Sequence, residues 1–352
     1  MTAQGTPLLY KRWVLRHILD SFSAGKWHVY RVRHEAGSLG TCIFHLTGRQ
    51  VTLLHESLTE LAELAPQCSD TPTVRGVLAE SQDLVRNAID HGERPQALVE
   101  WFSRLVTDVL HSEAIADMTG GAQLVLTGAI GRGDALPSSP IKWLTVGESH
   151  VDTTPVSDLI TSVGLVAEHT RLGPTARTKQ EWLSMIGTAQ GSDLAVFADA
   201  GTWCLEEVVA LPDHRPLLID AIEHRPPTLR IHDGLPSRDM VVDIRKDLLY
   251  PIIAIARWAG VAAHSTDFST RRRIPAAVAA GILTTSQADF LRQAWDAGLQ
   301  LQFRRWTDRV HSHAATAESL PAIQRSIYGA SSRLVSDVIR ALAQQYGIPL
   351  KS

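Results

Sequence analysis

The chain has 352 residues, 44% of them hydrophobic and 20% charged, with a formal net charge of −3. That length exceeds one average core and predicts two or three domains, while the near-neutral balance excludes bulk attraction to nucleic acid or an anionic membrane. No run approaches the roughly 18 apolar residues that span a bilayer, and residues 1–9 lack the basic flank and apolar core of a secretory signal, so the expected location is cytoplasmic.

Residues 8–22 read as a short amphipathic helix with Leu9, Trp13, Leu15 and Ile18 on one face. Residues 28–32 alternate, and residues 41–46 follow after Gly37 and Gly40, which predicts two strands joined by a loop. From residue 54 to about 115 the period becomes helical: Leu58, Leu61, Leu64 and Ala65, then Val74, Leu78, Leu84, Val85 and Ala88, then Leu98, Trp101, Leu105 and Val109. Residues 120–212 are mixed. Strands are predicted at 122–127, 142–147 and 193–198, and helices at 155–168 and 178–189. Beyond about 213 helices dominate, at 215–224, 248–261, 274–281, 286–305 and 321–345, with a short strand at 241–244. The fold class expected is α+β: a small mixed sheet at 116–212, flanked by an N-terminal helical region at 55–115 and a C-terminal helical bundle at 213–352. Residues 1–54 form an extension.

The segment Gly128-Ala129-Ile130-Gly131-Arg132-Gly133-Asp134 follows the apolar run Gln123–Leu126. A strand that opens onto small residues in a tight turn can bring backbone N–H groups close to phosphate. The same pattern also serves as a plain strand–helix loop in any α/β protein. Arg132 suits phosphate through its guanidinium fork and equally suits a salt bridge to Asp134 or to a carboxylate of the helical domain. Asp134 is a candidate N-cap or ligand. Asp243, Arg245 and Lys246 precede an apolar helix, where they face either a cleft or solvent. Arg271, Arg272 and Arg273 form the one notable charge run, read as a solvated helix start in preference to a site for an acidic partner or a nucleotide.

The histidines form no constellation: His311 and His313 are spaced i, i+2 and do not share a helical face, and His28 and His34 read as surface residues. Cys42, Cys68 and Cys204 are odd in number and far apart, which fits reduced, buried thiols rather than a disulfide framework or zinc site.

The Gly128–Asp134 segment resembles the G-S-x-G-R-x-E turn of the DUF294-type nucleotidyltransferases, relatives of the protein-PII uridylyltransferase and glutamine-synthetase adenylyltransferase families. Trp182 and Phe197-Ala198-Asp199 resemble that family's W and F-x-D elements. Residues 242–253 resemble its D-L-K-x-G-x-L-x-P-I-V segment, residues 254–261 its apolar helix, and residues 276–304 its helical hairpin, with Leu283–Gln287 as the capped turn. The resemblance covers roughly 55–345, including the family's substrate-binding region. The CBS and cyclic-nucleotide-binding domains often found in such proteins are not recognisable.

The resemblance implies a nucleoside triphosphate with Mg2+, held by an Asp-x-Asp pair on one strand face and a third carboxylate from a later strand. This chain departs from the pattern. Pro140 and Lys142 occupy the two acidic positions, Ala129 replaces the Ser, and Ser139 keeps the preceding small polar residue. Asp199 alone holds the place of the third carboxylate, as a residual catalytic or metal-binding candidate.

The implied nucleotide-binding residues are Gly128, Ala129, Gly131, Arg132, Gly133 and Lys142, with no metal site assigned beyond the residual candidate Asp199. The reading that follows is a regulatory pseudoenzyme that binds a nucleotide, a protein partner or both. An active transferase using Asp134, Asp199 and Glu148 or Asp152 is one alternative; a purely helical interaction module is another.

Overall fold

The computed structural model describes residues 29–33, 39–43, 54–148, 150–310 and 315–350. The predicted helix at 8–22, and His28, His34, His311 and His313, lie outside them. The chain divides into two compact units, residues 1–59 and 60–352. In the first, β1 (Val29–Arg33) pairs antiparallel with β2 (Leu39–Ile43), Val29 standing opposite Ile43 and Arg33 opposite Leu39. Helix α1 (Glu56–Leu64) leads out of it.

The second unit is mostly helical. Helix α2 (Thr71–Asp90) starts where Asp70 accepts the Thr73 amide at 2.8 Å and Pro72 fills the first turn, a position where proline's missing donor costs nothing. Helix α3 (Pro95–Leu110) buries the periodic stripe Leu98, Trp101, Leu105 and Val109, and the short α4 (Glu113–Met118) follows.

The sheet is small. β3 (Gln123–Thr127) pairs antiparallel with β4 (Lys142–Val146), Thr127 opposite Lys142. Parallel bridges from Ile141 to Ala167 and from Val146 to Arg177 make it mixed. Between the strands the glycine segment forms a single helical turn, α5 (Gly128–Arg132), closed by Gly133 in the left-handed conformation.

Helices α6 (Thr154–Ser162), α7 (Lys179–Ile186), α8 (Gly191–Ala198), α9 (Thr202–Ala210) and α10 (Arg215–Glu223) come next. A capping box opens α7: Thr178 accepts the Glu181 amide, and Glu181 accepts the Thr178 amide. Trp182, on this helix, donates its indole N–H to the Thr145 carbonyl at 2.9 Å and anchors β4.

Two expected strands are corrected. Residues 193–198 lie inside α8, because the short apolar run 194–198 carries no period that separates strand from helix, and its Leu and Ala favour the helix. Residues 241–244 make one antiparallel bridge, Val241 to Thr316, instead of a strand.

A two-residue hairpin, β5 (Ile231–His232) and β6 (Leu235–Pro236), precedes a π-helical turn at Arg245–Leu249 that runs into α11 (Tyr250–Ala262). Pro251 has no amide hydrogen, so an ordinary α-helical bond is lost here. The Tyr250 amide donates to the Arg245 carbonyl, five residues back, the widened turn of a π-bulge.

Pro251 to Val261 are all buried, as a helix apolar on every side requires. Helices α12 (Thr270–Ala279), α13 (Thr285–Thr307) and α14 (Ala322–Gln345) pack around α11. The expected capped turn before α13 is present: Thr284 and Gln287 form a reciprocal capping box.

Candidate functional site

Thr127, at the end of β3, donates its hydroxyl to the Val196 carbonyl of α8 at 2.7 Å. This bond sets the glycine turn against the end of α8. Gly131 allows the contact: a Cβ there would lie 2.2 Å from the Asp199 carbonyl oxygen and 2.7 Å from that of Leu126. Of the predicted nucleotide-binding residues, Gly128, Ala129, Arg132 and Lys142 line one cavity of about 660 Å³. Gly131 and Gly133 shape the turn without lining the cavity.

Pro140, Ser139 and Asp199 line it too, as do Asp243, Arg245 and Lys246, so the cleft alternative holds for this last trio. Residues at both sequence ends of the candidate site therefore meet. Glu148 and Asp152 are exposed and are not among the lining residues; Asp152 accepts the Thr154 amide at 2.8 Å.

Asp199, at the C-terminus of α8, is buried. Among the described residues three arginines donate to its carboxylate: Arg132 at 2.5 Å, Arg257 at 3.1 and 2.7 Å, and Arg273 at 3.0 Å. Arg273 also donates to the Ala198 carbonyl at 2.6 Å. Burial by itself would raise the Asp199 carboxyl, but Arg257, then Arg132 and Arg273, outweigh it and hold the group far below the usual carboxylate range. With both oxygens engaged by guanidinium groups, this carboxylate is not free to ligate a cation.

Asp134 is also buried. It accepts the Thr270 hydroxyl at 2.5 Å and amide at 3.2 Å, and faces the Arg132 Nε at 3.3 Å. It holds the start of α12 from across the chain instead of capping a helix next to it. Burial pushes its carboxyl up, against the pull of Arg132 and the Thr270 bonds.

Arg132 thus makes the salt bridge that was one of its two alternatives. The charge run at 271–273 divides. Arg271 and Arg272 are exposed as expected, but Arg273 is fully buried, a correction that follows from its pairing with Asp199. Gly260 makes room for it, since a Cβ there would meet the Arg273 side-chain stem at 2.6 Å.

Arg257 escaped the sequence reading. The signal was available: it is the one charged residue in the apolar stretch Tyr250–Ala262, and a charge on a buried helix needs a partner. Its Nη1 atom has no hydrogen-bond partner. The neighbouring Asp199 raises its pKa despite burial.

At the cavity wall Lys142 pairs with Glu168 at 2.9 Å. Among the described residues Arg245 and Lys246 make no salt bridge, and no group of three His, Cys, Asp or Glu could hold a metal ion. The apolar lining residues include Leu136, Ile253, Trp295 and Leu299. Cys68 and Cys204 are buried free thiols, and burial pushes Cys204 up to about 12.

Residues 214–346 match the family model described as "Putative nucleotidyltransferase substrate binding domain", of the DUF294 type. This region carries α10 to α14 and supplies Arg257, Arg273 and the Arg245–Lys246 pair. No curated protein matches the chain. Among the described residues no helix is long and apolar enough to cross a membrane.

Proposed function

We propose that this protein is a nucleotidyltransferase-derived regulatory protein that binds a nucleotide without transferring it. The observation that carries the reading is one cavity in which Gly128, Ala129, Arg132 and Lys142 meet the substrate-binding region, while Pro140 and Lys142 stand where two metal-binding acids are expected. The remaining candidate acid, Asp199, is saturated by arginine. Two-metal transfer needs carboxylates that bridge both ions, and the wall of this cavity offers cations instead. Backbone at the glycine turn and the lining cations Lys142, Arg245 and Lys246 would hold the phosphates, Arg132 staying with Asp134 and Asp199; the apolar lining residues, with Trp295, would take the base. The helical C-terminal region, which matches a substrate-binding family, would recognise a protein partner.

Calorimetry with ATP and UTP tests the binding; incubation with α-labelled nucleotides and cell lysate tests the chemistry. Saturable nucleotide binding with no labelled protein is the expected result. Absence of binding by every nucleotide overturns the ligand-sensing reading. Labelled protein would return the chain to the active transferases.

A further inference from the structure

We infer that the cavity takes its phosphate-bearing ligand as the free anion, with arginine and lysine in the place of magnesium, so that magnesium opposes binding. The inference rests on the nucleotide reading and adds the charge state of the ligand.

Most lining carboxylate oxygens are already engaged. Asp199 faces three guanidinium groups, and Asp134 accepts from Thr270 and Arg132 at Oδ2, its buried Oδ1 keeping no partner among the described residues. Glu168 pairs with Lys142 at 2.9 Å, and Asp243 accepts the Lys246 amide at 3.0 Å. Magnesium sheds its waters reluctantly and is bound through carboxylates together with substrate phosphates; the one buried oxygen of these carboxylates without a partner, Asp134 Oδ1, is on a side chain already paired with Arg132.

Cations, by contrast, are in surplus. Six lining arginines and lysines stand against four lining carboxylates, and buried Asp220 also acts on Arg257 from α10. That surplus has an outlet: Arg257 is 97% buried, lines the cavity and keeps Nη1 without a partner. An unsatisfied donor of a buried charged group is costly, and an anionic oxygen satisfies it with a charge-assisted bond.

Arg245 and Lys246 reach the same cavity from the π-helical turn, with no salt bridge to an acid among the described residues. The volume of about 660 Å³ and the apolar lining residues Leu136, Ile253, Trp295 and Leu299 fit a ligand with both a phosphate and a flat apolar part.

Titration calorimetry on the full chain tests this with three probes: ATP, UTP and inorganic tripolyphosphate, each in EDTA and in excess MgCl2. Magnesium cancels two charges of the phosphate chain, so the expected result is binding in EDTA that weakens by about tenfold or more with magnesium. Arg245→Ala and Lys246→Ala, on partly exposed side chains outside the buried cluster, should each weaken binding in EDTA at an unchanged melting temperature.

Nucleotide binding that requires magnesium, or tightens with it, overturns the inference and leaves the nucleotide reading standing. Tripolyphosphate binding in EDTA with no gain from a nucleoside does the reverse. If no probe binds in either buffer, both fall.

Discussion

Replacing Asp199 by Asn removes the anion that three guanidinium groups face, and leaves buried positive charge uncompensated. Breaking a buried pair from one side costs about 3–5 kcal/mol, so D199N should show a lower urea midpoint at neutral pH with an unchanged slope. A carboxylate whose work was to ligate metal would leave stability unchanged or improve it.

The pH dependence follows from the depressed carboxyl. A folded pKa below the unfolded value of about 3.9 gives stability that is present above about pH 4 and lost as pH falls toward the folded value. The difference in urea midpoint between wild type and D199N should be constant near neutrality and shrink below about pH 4. Asp134 has the opposite sign: its raised carboxyl favours the fold at low pH and loses that contribution as pH rises through the folded value.

Gly131 is a second sharp position. Gly131→Ala pushes a methyl into the Asp199 and Leu126 carbonyl oxygens, both backbone atoms that cannot swing away. A loss of about 1–3 kcal/mol, the usual range for overpacking, is expected in chemical denaturation.

Among the elements, the long helices were legible because each carries both a period and a start signal. For α13 the signal is Thr284 with Gln287, and Thr284→Ala should cost about 1 kcal/mol in thermal or urea unfolding. The α8 segment was not legible as a helix. Leu194, Ala195, Phe197 and Ala198 are all buried, so its sequence alternates in neither period. The consequence reaches the site, because Asp199 becomes a helix C-terminal residue braced by α11 and α12 instead of a side chain at a strand end.

The π-helical turn was equally invisible as such, although its cause is in the sequence. Pro251 removes one amide donor, and the widened turn carries Arg245 and Lys246 to the cavity wall.

In the molecule as a whole, the charge at two positions of the β3–β4 region should decide how the cavity treats a divalent cation. Pro140→Asp with Lys142→Asp places two acids on the cavity wall and frees Glu168 from its salt bridge. In this double variant magnesium should strengthen nucleotide binding, the reverse of its expected effect on the natural chain, read by the same calorimetry.

The sequence by itself determined the α+β class, the strands β3 and β4, the helices of the C-terminal region and the family that residues 214–346 match. These features rest on local periodicity, capping and residue identity. Only the tertiary structure decided what the remaining charges do. Arg132, Asp134, Asp199, Arg257, Thr270 and Arg273 are up to 141 positions apart in the chain, and no local pattern pairs them. Their meeting depends on how α5, α8, α11 and α12 pack, and burial there turns ordinary carboxylates and guanidinium groups into an obligatory network. That packing engages Asp199 and leaves Arg257 with a donor to spare.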